Sequence, residues 1–377
     1  LNNYFFLSLN ISPVFIKINL ILFFLTILFF YFKNILDNLF LKLFFIFIVF
    51  ISLGSTIGDG TYTPFGWDAR SIWLFHAKRI FFENSIFVVA DNYADFSHNE
   101  YPSLAPALAA SFATLVGHWN EVFPKVAFTF MFLPPLILIY SFLKSTHYVI
   151  FLSIVFFTIG KYLYNGWADG LVAVYFGLSA FLMYLLILSD DDNYKKKFLF
   201  YFIALSFFSS LTLIKNEGSA LLFILFAAAS LITLYESKFR ENIFKLLILS
   251  ISFLPIILWK YFCYSEGVNS GNIQIFNSGV LSNLLPRLDD FNNYKLIAEF
   301  LLLNEKFLIS LIFLIISFCI NQNKKLFSFV SITIVTYIVI LFVVYLSTPL
   351  DFRFQLDSTA TRVVKSPVFL MAFFGLY

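Results

Sequence analysis

Residues 165–188 read Asn-Gly-Trp-Ala-Asp-Gly and then Leu-Val-Ala-Val-Tyr-Phe-Gly-Leu-Ser-Ala-Phe-Leu-Met-Tyr-Leu-Leu-Ile-Leu, an uncharged run that opens on one acid, Asp169. As a helix, Leu171 to Leu188 covers about 27 Å, close to the roughly 30 Å of hydrocarbon in a bilayer. It is apolar all round, so it has no face to offer water. Beyond it stand Lys195, Lys196 and Lys197, a basic cluster of the kind that stays on the cytoplasmic side of a membrane. The same pattern recurs along the chain and decides its fold.

Of 377 residues, 60% are hydrophobic and 12% charged, about half the charged share of an ordinary globular chain. That excludes a soluble enzyme. The 55 phenylalanines, beside abundant Lys and Asn, read as nucleotide bias and say little about function. A net charge of +3, with Lys and Arg in short loops rather than a tract, gives nucleic-acid binding no support. The only cysteines, Cys263 and Cys319, form no CxxC pair and no Cys/His cluster, which removes a disulfide scaffold and structural zinc.

Apolar runs long enough to cross fall near 12–32, 39–55, 126–143, 148–164, 171–188, 198–214, 219–235, 246–264, 307–320 and 326–346, with a further one opening at Pro367. The expectation is an all-α, polytopic transmembrane bundle of about 10–12 spans, in one domain over 1–377. Lys33 with Lys42, Lys144, the 195–197 cluster, Lys238 with Arg240 and Lys245, and Lys324 with Lys325 mark the cytoplasmic side. The extracytoplasmic side then receives 56–102, the turns at Asn165–Gly170 and Lys215–Gly218, and the stretches 265–306 and 348–366, which are expected to carry short surface helices. Trp67, Trp73 and Tyr101 suit an interfacial aromatic belt. The run Leu104–Gly117 is too short to cross and is expected to lie along the membrane or dip into it. The chain opens without Met and stops about ten residues after Pro367, so incomplete ends are expected, the C-terminal one above all.

Every unusual polar motif lands on that one side. Gly66-Trp67-Asp68-Ala69-Arg70-Ser71-Ile72-Trp73, then Ala77-Lys78, sets a carboxylate and cations after the second run. Desolvation raises a carboxylate's pKa and a neighbouring cation lowers it, so Asp68 is a candidate general base. The same pattern also suits an Asp that caps a helix and pairs with Arg. His98-Asn99-Glu100-Tyr101-Pro102 adds a histidine and a carboxylate, too scattered for a firm metal site and compatible with a plain helix start. Asp169 cannot face lipid. Lys215-Asn216-Glu217-Gly218 sits between two spans with almost no loop; its charges either neutralise neighbours or hold an anionic ligand. Arg353 and Arg362 follow Thr348-Pro349 and suit either a phosphate or lipid headgroups.

Taken in order, Trp-Asp-x-x-x-x-Trp with a downstream Lys, His-x-x-Tyr-Pro, Gly-Trp-Ala-Asp, Lys-Asn-Glu-Gly and a terminal Thr-Pro…Arg resemble the bacterial GT-C membrane glycosyltransferases over nearly the whole chain. The resemblance is closest to the branch related to protein mannosyltransferases and to rhizobial lipopolysaccharide-core transferases. Arg70 departs from it, standing where an apolar residue is expected. The resemblance implies an integral enzyme of the bacterial inner membrane for polysaccharide or cell-envelope biosynthesis. It moves a sugar from a polyprenyl-phosphate carrier to a glycan, lipid or protein acceptor at the outer face, with inversion at the anomeric carbon. By the same token Asp68 would be the base, Lys215, Arg353 and Arg362 the phosphate candidates with Lys78 behind them, and His98, Glu100, Tyr101 and Asp169 the walls of the pocket. Arg70 and Glu217 complete the substrate-binding candidates. No cofactor is implied, a divalent metal is left open, and no nucleotide-phosphate loop is present.

Two other classes fit the composition. A transporter or flippase of lipid-linked sugars would put its ionisable groups near mid-bilayer in two related halves, whereas here they lie at run ends. An O-antigen ligase or polymerase would also carry basic outer loops, but the Trp-Asp turn would then be unexplained.

Overall fold

The computed structural model describes residues 66–163, 165–189, 198–268 and 278–377. Every regular element among them is helical and none is a strand, the arrangement in which a lipid-facing backbone satisfies its own amides. The expected runs 12–32 and 39–55, and the first part of the 56–102 segment, lie outside the described residues. The described residues fall into two compact units. The first reaches Leu171 and adds Leu213–Asn216 and Ile256–Asn269; the second comprises Val172–Thr212, Glu217–Pro255 and Ser270–Tyr377.

In the first unit a π-helical turn, Ala69–Trp73, leads into α1 (Leu74–Glu83), and 3-10 turns at Ile86–Asp91 and Asp95–Ser97 return the chain to α2 (Leu104–Val116). Then come α3 (Phe123–Tyr140), α4 (Ser145–Ile159) and a 3-10 turn, Gly160–Leu163. The segment expected to lie along or dip into the membrane is α2, and it is packed between α1 and α3. Its buried Ala105, Ala107, Ala109 and Ala110 explain this, since small side chains let helices approach closely. It stops at Gly117, whose φ of 93° closes the helix in the left-handed region.

α5 (Asp169–Met183), prolonged by a π turn at Tyr184–Leu188, begins in the first unit and runs into the second. It is buried along its whole length, as an all-apolar helix should be. At Gly177 the Phe369 backbone passes in van der Waals contact, and the Phe181 ring is met by Phe373, Phe374 and Tyr377. α6 (Phe198–Ile214) and α7 (Asn216–Thr233) turn back on each other through Lys215 alone. A Cβ on Gly218 would collide with the Leu211 carbonyl, so that turn requires glycine.

α8 (Phe239–Ser250) continues through a 3-10 turn into α9 (Leu254–Ser265), and α10 (Ser278–Leu288), α11 (Phe291–Leu301), α12 (Glu305–Asn321), α13 (Lys324–Ser347), α14 (Phe352–Val363) and α15 (Lys365–Leu376) complete the chain. α12 packs along α15. Arg287 of α10 donates to the carbonyls of Leu346 and Thr348, at 3.3 and 2.7 Å, and so closes the C-terminal end of α13.

Five of these segments are long and apolar enough to cross a membrane: Phe123–Tyr140, Asp169–Leu188, Asn216–Thr233, Phe239–Ser265 and Lys324–Ser347. A sixth arises if Phe291–Leu301 and Glu305–Asn321, bent by 71°, make one broken span. The protein is therefore read as an integral membrane protein. The sequence expectation of about 10–12 spans includes 12–32 and 39–55, which lie outside the described residues, and also counts shorter apolar runs. α4 and α6, 15 and 17 residues long, rise only about 23 and 26 Å as helices, and α15 is shorter still.

Candidate active site

The Trp-Asp motif enters its helix through the π turn. A π turn adds a residue to the helical repeat and shifts the faces on either side of it, a feature frequent at functional positions. Here it turns Ala69, Ile72 and Trp73 inward and leaves Arg70 exposed. Asp68 stands at the N-cap position with helical φ and ψ, and its side chain makes no capping hydrogen bond. Trp67 and Asp68 are already helical, so Asp68 lies within the first turn, with its side chain half-buried.

What Asp68's turn rests on is the Gly-Trp-Ala-Asp turn. A Cβ on Gly66 would overlap the Trp167 indole, and one on Gly166, whose φ is 81°, would stand 3.3 Å from Ala69 Cβ. Each motif thus supplies a glycine where the other needs room. Asn165 Oδ1 accepts from the Trp167 amide at 3.1 Å, an Asx turn that aims the indole back at Gly66. Asp169 then opens α5, where the helix dipole favours an acid.

Lys215 Nζ donates to Asp169 Oδ1 at 3.0 Å, and both side chains are about 8% exposed. Such a pair is a registry device: breaking it is costly, while the intact pair adds little net stability. Of the two readings left open for Lys215, neutralising a neighbour is the one visible here, with Asp169 rather than Glu217 as the partner. Glu217 falls in the second unit, in the first turn of α7.

His98, Glu100 and Tyr101 gather in the first unit as well. His98 is held at a φ of 55°, its Nδ1 lies 3.5 Å from Glu100 Oε1, and its ring stacks on Tyr101 at 4.8 Å. Tyr101 in turn stacks on Trp73 at 5.6 Å. The expected interfacial belt is therefore corrected at Trp73, which is 1% exposed and sandwiched inside the unit; Trp67 alone of the three is well exposed. The helix after the motif starts only at Leu104, so Tyr101 and Pro102 do more than open it. Lys78 lies on α1, exposed, 3.8 Å from Glu121.

Three residues of this cluster are not among the sequence candidates. His76 on α1 is buried, with Nε2 donating to the Ser97 carbonyl at 2.9 Å; a carbonyl only accepts, so Nε2 carries the proton. Burial holds its pKa down, and with Arg79 and His98 nearby it falls from 6.5 to about 4, against the opposing pull of Ser97 and Glu100. Trp259 Nε1 and Lys260 Nζ, from α9, both donate to the Glu100 carbonyl, at 3.1 and 3.2 Å. Lys260 is the one cation inside the apolar run 246–264, a signal readable in the sequence. His76 offered none beyond being one of four histidines. Trp73 Nε1, His76 Nδ1 and Glu100 Oε2 are buried without a hydrogen-bond partner, a concentration of unmet polar atoms that is unusual away from functional sites.

Arg353 and Arg362 lie in the second unit, on α14. Nine residues apart on one helix, they project from opposite faces about 14 Å apart along the axis, so they do not clamp a single phosphate together. Lys365, missed in the sequence, is buried one turn beyond Arg362 and donates to the Thr361 carbonyl at 2.7 Å. Among the described residues no three His, Cys, Asp or Glu side chains converge as a metal site would require. The chain matches no family model, no curated protein and no solved structure.

Proposed function

We propose that the protein is a membrane glycosyltransferase of the GT-C kind, transferring a sugar from a polyprenyl-phosphate carrier to a cell-envelope acceptor outside the cytoplasm. The observation that carries the reading is the interlock of the two motif turns: Gly66 under Trp167, Gly166 against Ala69, with Asp169 drawn onto Lys215. Motifs about a hundred residues apart in sequence thus meet, and the turn bearing Asp68 is held by backbone packing that leaves its carboxylate off capping duty. Preorganisation of that kind is what a base needs, since the geometry is then set before substrate arrives.

In the proposed reaction the acceptor hydroxyl gives its proton to Asp68 as its oxygen bonds to the anomeric carbon. The bond from that carbon to the carrier phosphate breaks on the opposite face, and the phosphate leaves with the electron pair. Lys78 is an exposed cation in Asp68's own unit; Arg353 and Arg362 carry over from the resemblance. Membrane residence supports the reading, because a polyprenyl chain presents its phosphate at the bilayer surface.

The test is Asp68→Asn, assayed in membrane vesicles with a radiolabelled polyprenyl-phosphate sugar. General-base removal lowers transfer by about 10²–10⁴-fold while the membrane level of the protein is unchanged. Transfer near the wild-type rate in that variant would remove Asp68 from the chemistry.

A further inference from the structure

Beside the cluster just described, α1 and the 3-10 turn Ile86–Asp91 enclose an open cavity of about 710 Å³, a size typical of small-molecule sites. The two segments that line it each end on an asparagine in left-handed conformation, Asn84 at a φ of 51° after α1 and Asn92 at 54° after the turn, a conformation Asn tolerates better than most residues. Asn92 Nδ2 also donates to the Gly267 carbonyl at 3.0 Å, tying the turn to the end of α9.

The wall is a fixed guanidinium. Arg79 lies beside the stacked rings of Phe75 and Tyr93, with its carbon 5.9 and 5.6 Å from their centroids. Its Nη2 donates to the Val88 carbonyl at 2.7 Å and to Asp91 Oδ2 at 2.5 Å. Burial would raise the Asp91 pKa, but the Tyr93 amide and the Arg79 guanidinium outweigh it and hold the carboxyl below its usual value. The other terminal amine, Nη1, is buried without a hydrogen-bond partner. Arg79 lines the cavity together with Lys78, Glu83 and Asp91, so the wall offers both cationic donors and carboxylate acceptors to a ligand.

The charges around it choose the ligand class. Lys78 and Arg79 are offset by Glu83 and Asp91, so the lining carries no net charge. A phosphate would meet two carboxylates and a cation would meet two basic groups. A lipid chain would have to desolvate all four. A neutral polyhydroxylated molecule suits every one of them, because each hydroxyl both donates to a carboxylate and accepts from a cation. Phe82, 65% exposed at the edge, offers the apolar platform that the C–H face of a sugar ring needs.

We infer that this cavity binds a neutral saccharide, the glycan part of the acceptor, with Arg79 and Glu83 reading its hydroxyls and Phe82 stacking on the ring. The inference rests on the glycosyltransferase reading for the word acceptor, and on the cavity alone for the word saccharide. Phe82 and Glu83 are exposed, so Phe82→Ala and Glu83→Gln leave the fold intact. The full chain in lipid nanodiscs is applied to an array of neutral and charged bacterial oligosaccharides, with Asp68→Asn as the catalytically silent comparison. At least one neutral class is expected to bind wild type and Asp68→Asn alike and to lose tenfold or more in each of the two variants. Binding of no neutral oligosaccharide above the level of the Phe82→Ala/Glu83→Gln double variant overturns the saccharide site, and so does preference for anionic glycans. Because the array needs no turnover, saccharide binding with full transfer by Asp68→Asn would sink the catalytic reading and spare the site. Lost transfer without saccharide binding would do the reverse.

Discussion

The two units use the same kinds of residue at their helix ends, in part for different purposes. In the second, Asp290, Asn304, Asn323 and Asp351 each accept hydrogen bonds from the amides of the helices they precede, at 2.8–3.4 Å. In the first, Asn120 caps α3 in the same way, but Ser103 leaves α2 uncapped and Asp169, which opens α5, pairs with Lys215. A cap contributes about 1 kcal/mol. Solvent-open ion pairs occur in both units, Lys78–Glu121 in the first and Glu236–Lys325 and Lys295–Glu299 in the second, but Asp169–Lys215, in the first, is closed off on both sides. Helix ends are capped in both units, but the stacked His98, Tyr101 and Trp73 and the buried Asp169–Lys215 pair belong to the first. The difference teaches that a polar residue's position in a helix does not reveal its task until its partner is known.

The sharpest break in this comparison would come from exchanging one substitution between the units. Asp68→Asn is expected to lower transfer by about 10²–10⁴-fold with little change in stability, since Asn is nearly isosteric with Asp. Asp351→Asn is expected to leave transfer within about twofold and stability intact, because Asn caps as well as Asp. The readout pairs the vesicle assay with thermal exposure of thiols. Cys263 is buried in the first unit and Cys319 is exposed, so in a Cys319→Ser background maleimide labelling on heating reports the first unit. If Asp68→Asn melts that unit early, its role is structural and the contrast collapses.

The buried pair should give the next largest effect. Removing one partner, by Asp169→Asn or Lys215→Met, breaks a buried ion pair and is expected to destabilise the first unit by roughly 3–5 kcal/mol. The double substitution should recover most of this, because neither half of the broken pair is left behind. Cys263 labelling measures all three. A double variant no more stable than either single one would show that the pair is not the unit acting. Where the fold is recovered, donor KM separates the two readings of Lys215: a phosphate ligand leaves KM raised, and a pure pairing role restores it.

All four histidines of the chain belong to the first unit, and the buried one makes the units differ in acid. Folded protein keeps His76 neutral down to about pH 4, whereas the unfolded chain takes up a proton near 6.5. Between those values the unfolded state binds more protons, so stability is fully present above 6.5 and declines as pH falls, by roughly 3 kcal/mol in all. Cys263 exposure measured from pH 7.5 to 4.5 should show the decline, and His76→Gln should flatten it. A slope that survives in that variant would place the sensitivity on Glu100 or His98, the neighbours whose charges act on the same ring.

Much of this was legible along the chain. The apolar runs located most of the helices, because a continuous apolar stretch has few other folds open to it. α6 falls on the expected 198–214 and α13 closely brackets 326–346. The candidate residues Asp68, Lys78, His98, Glu100, Tyr101, Asp169 and Lys215 all fall in one unit. Pairing was not legible. Nothing in Lys-Asn-Glu-Gly says that Lys215 will choose Asp169 over Glu217, since the choice depends on which helix ends meet. Trp73 reads as a belt residue until Tyr101 is seen stacked on it. Opposed faces on α14 became visible only once Arg353 and Arg362 were known to share one unbroken helix.

The smallest expected effect tests the second unit's side of the contrast. Asp351→Ala removes the oxygen that accepts from the Phe354 amide at 2.8 Å, leaving the first turn of α14 uncapped. The expected loss is about 1 kcal/mol. Ser366, buried just past α14, reports it: Ser366→Cys is nearly isosteric, and with Cys263→Ser and Cys319→Ser it becomes the single thiol. Labelling at 366 should begin a few degrees earlier with Asp351→Ala, and transfer should persist. If transfer falls in step with Asp68→Asn, the cap is doing more than holding a helix, and the division of labour between the units is less clean than their hydrogen bonds suggest. An unchanged melting profile would mean that packing of α15 along α12 already holds α14 in place, and the cap would then add nothing to the second unit's stability.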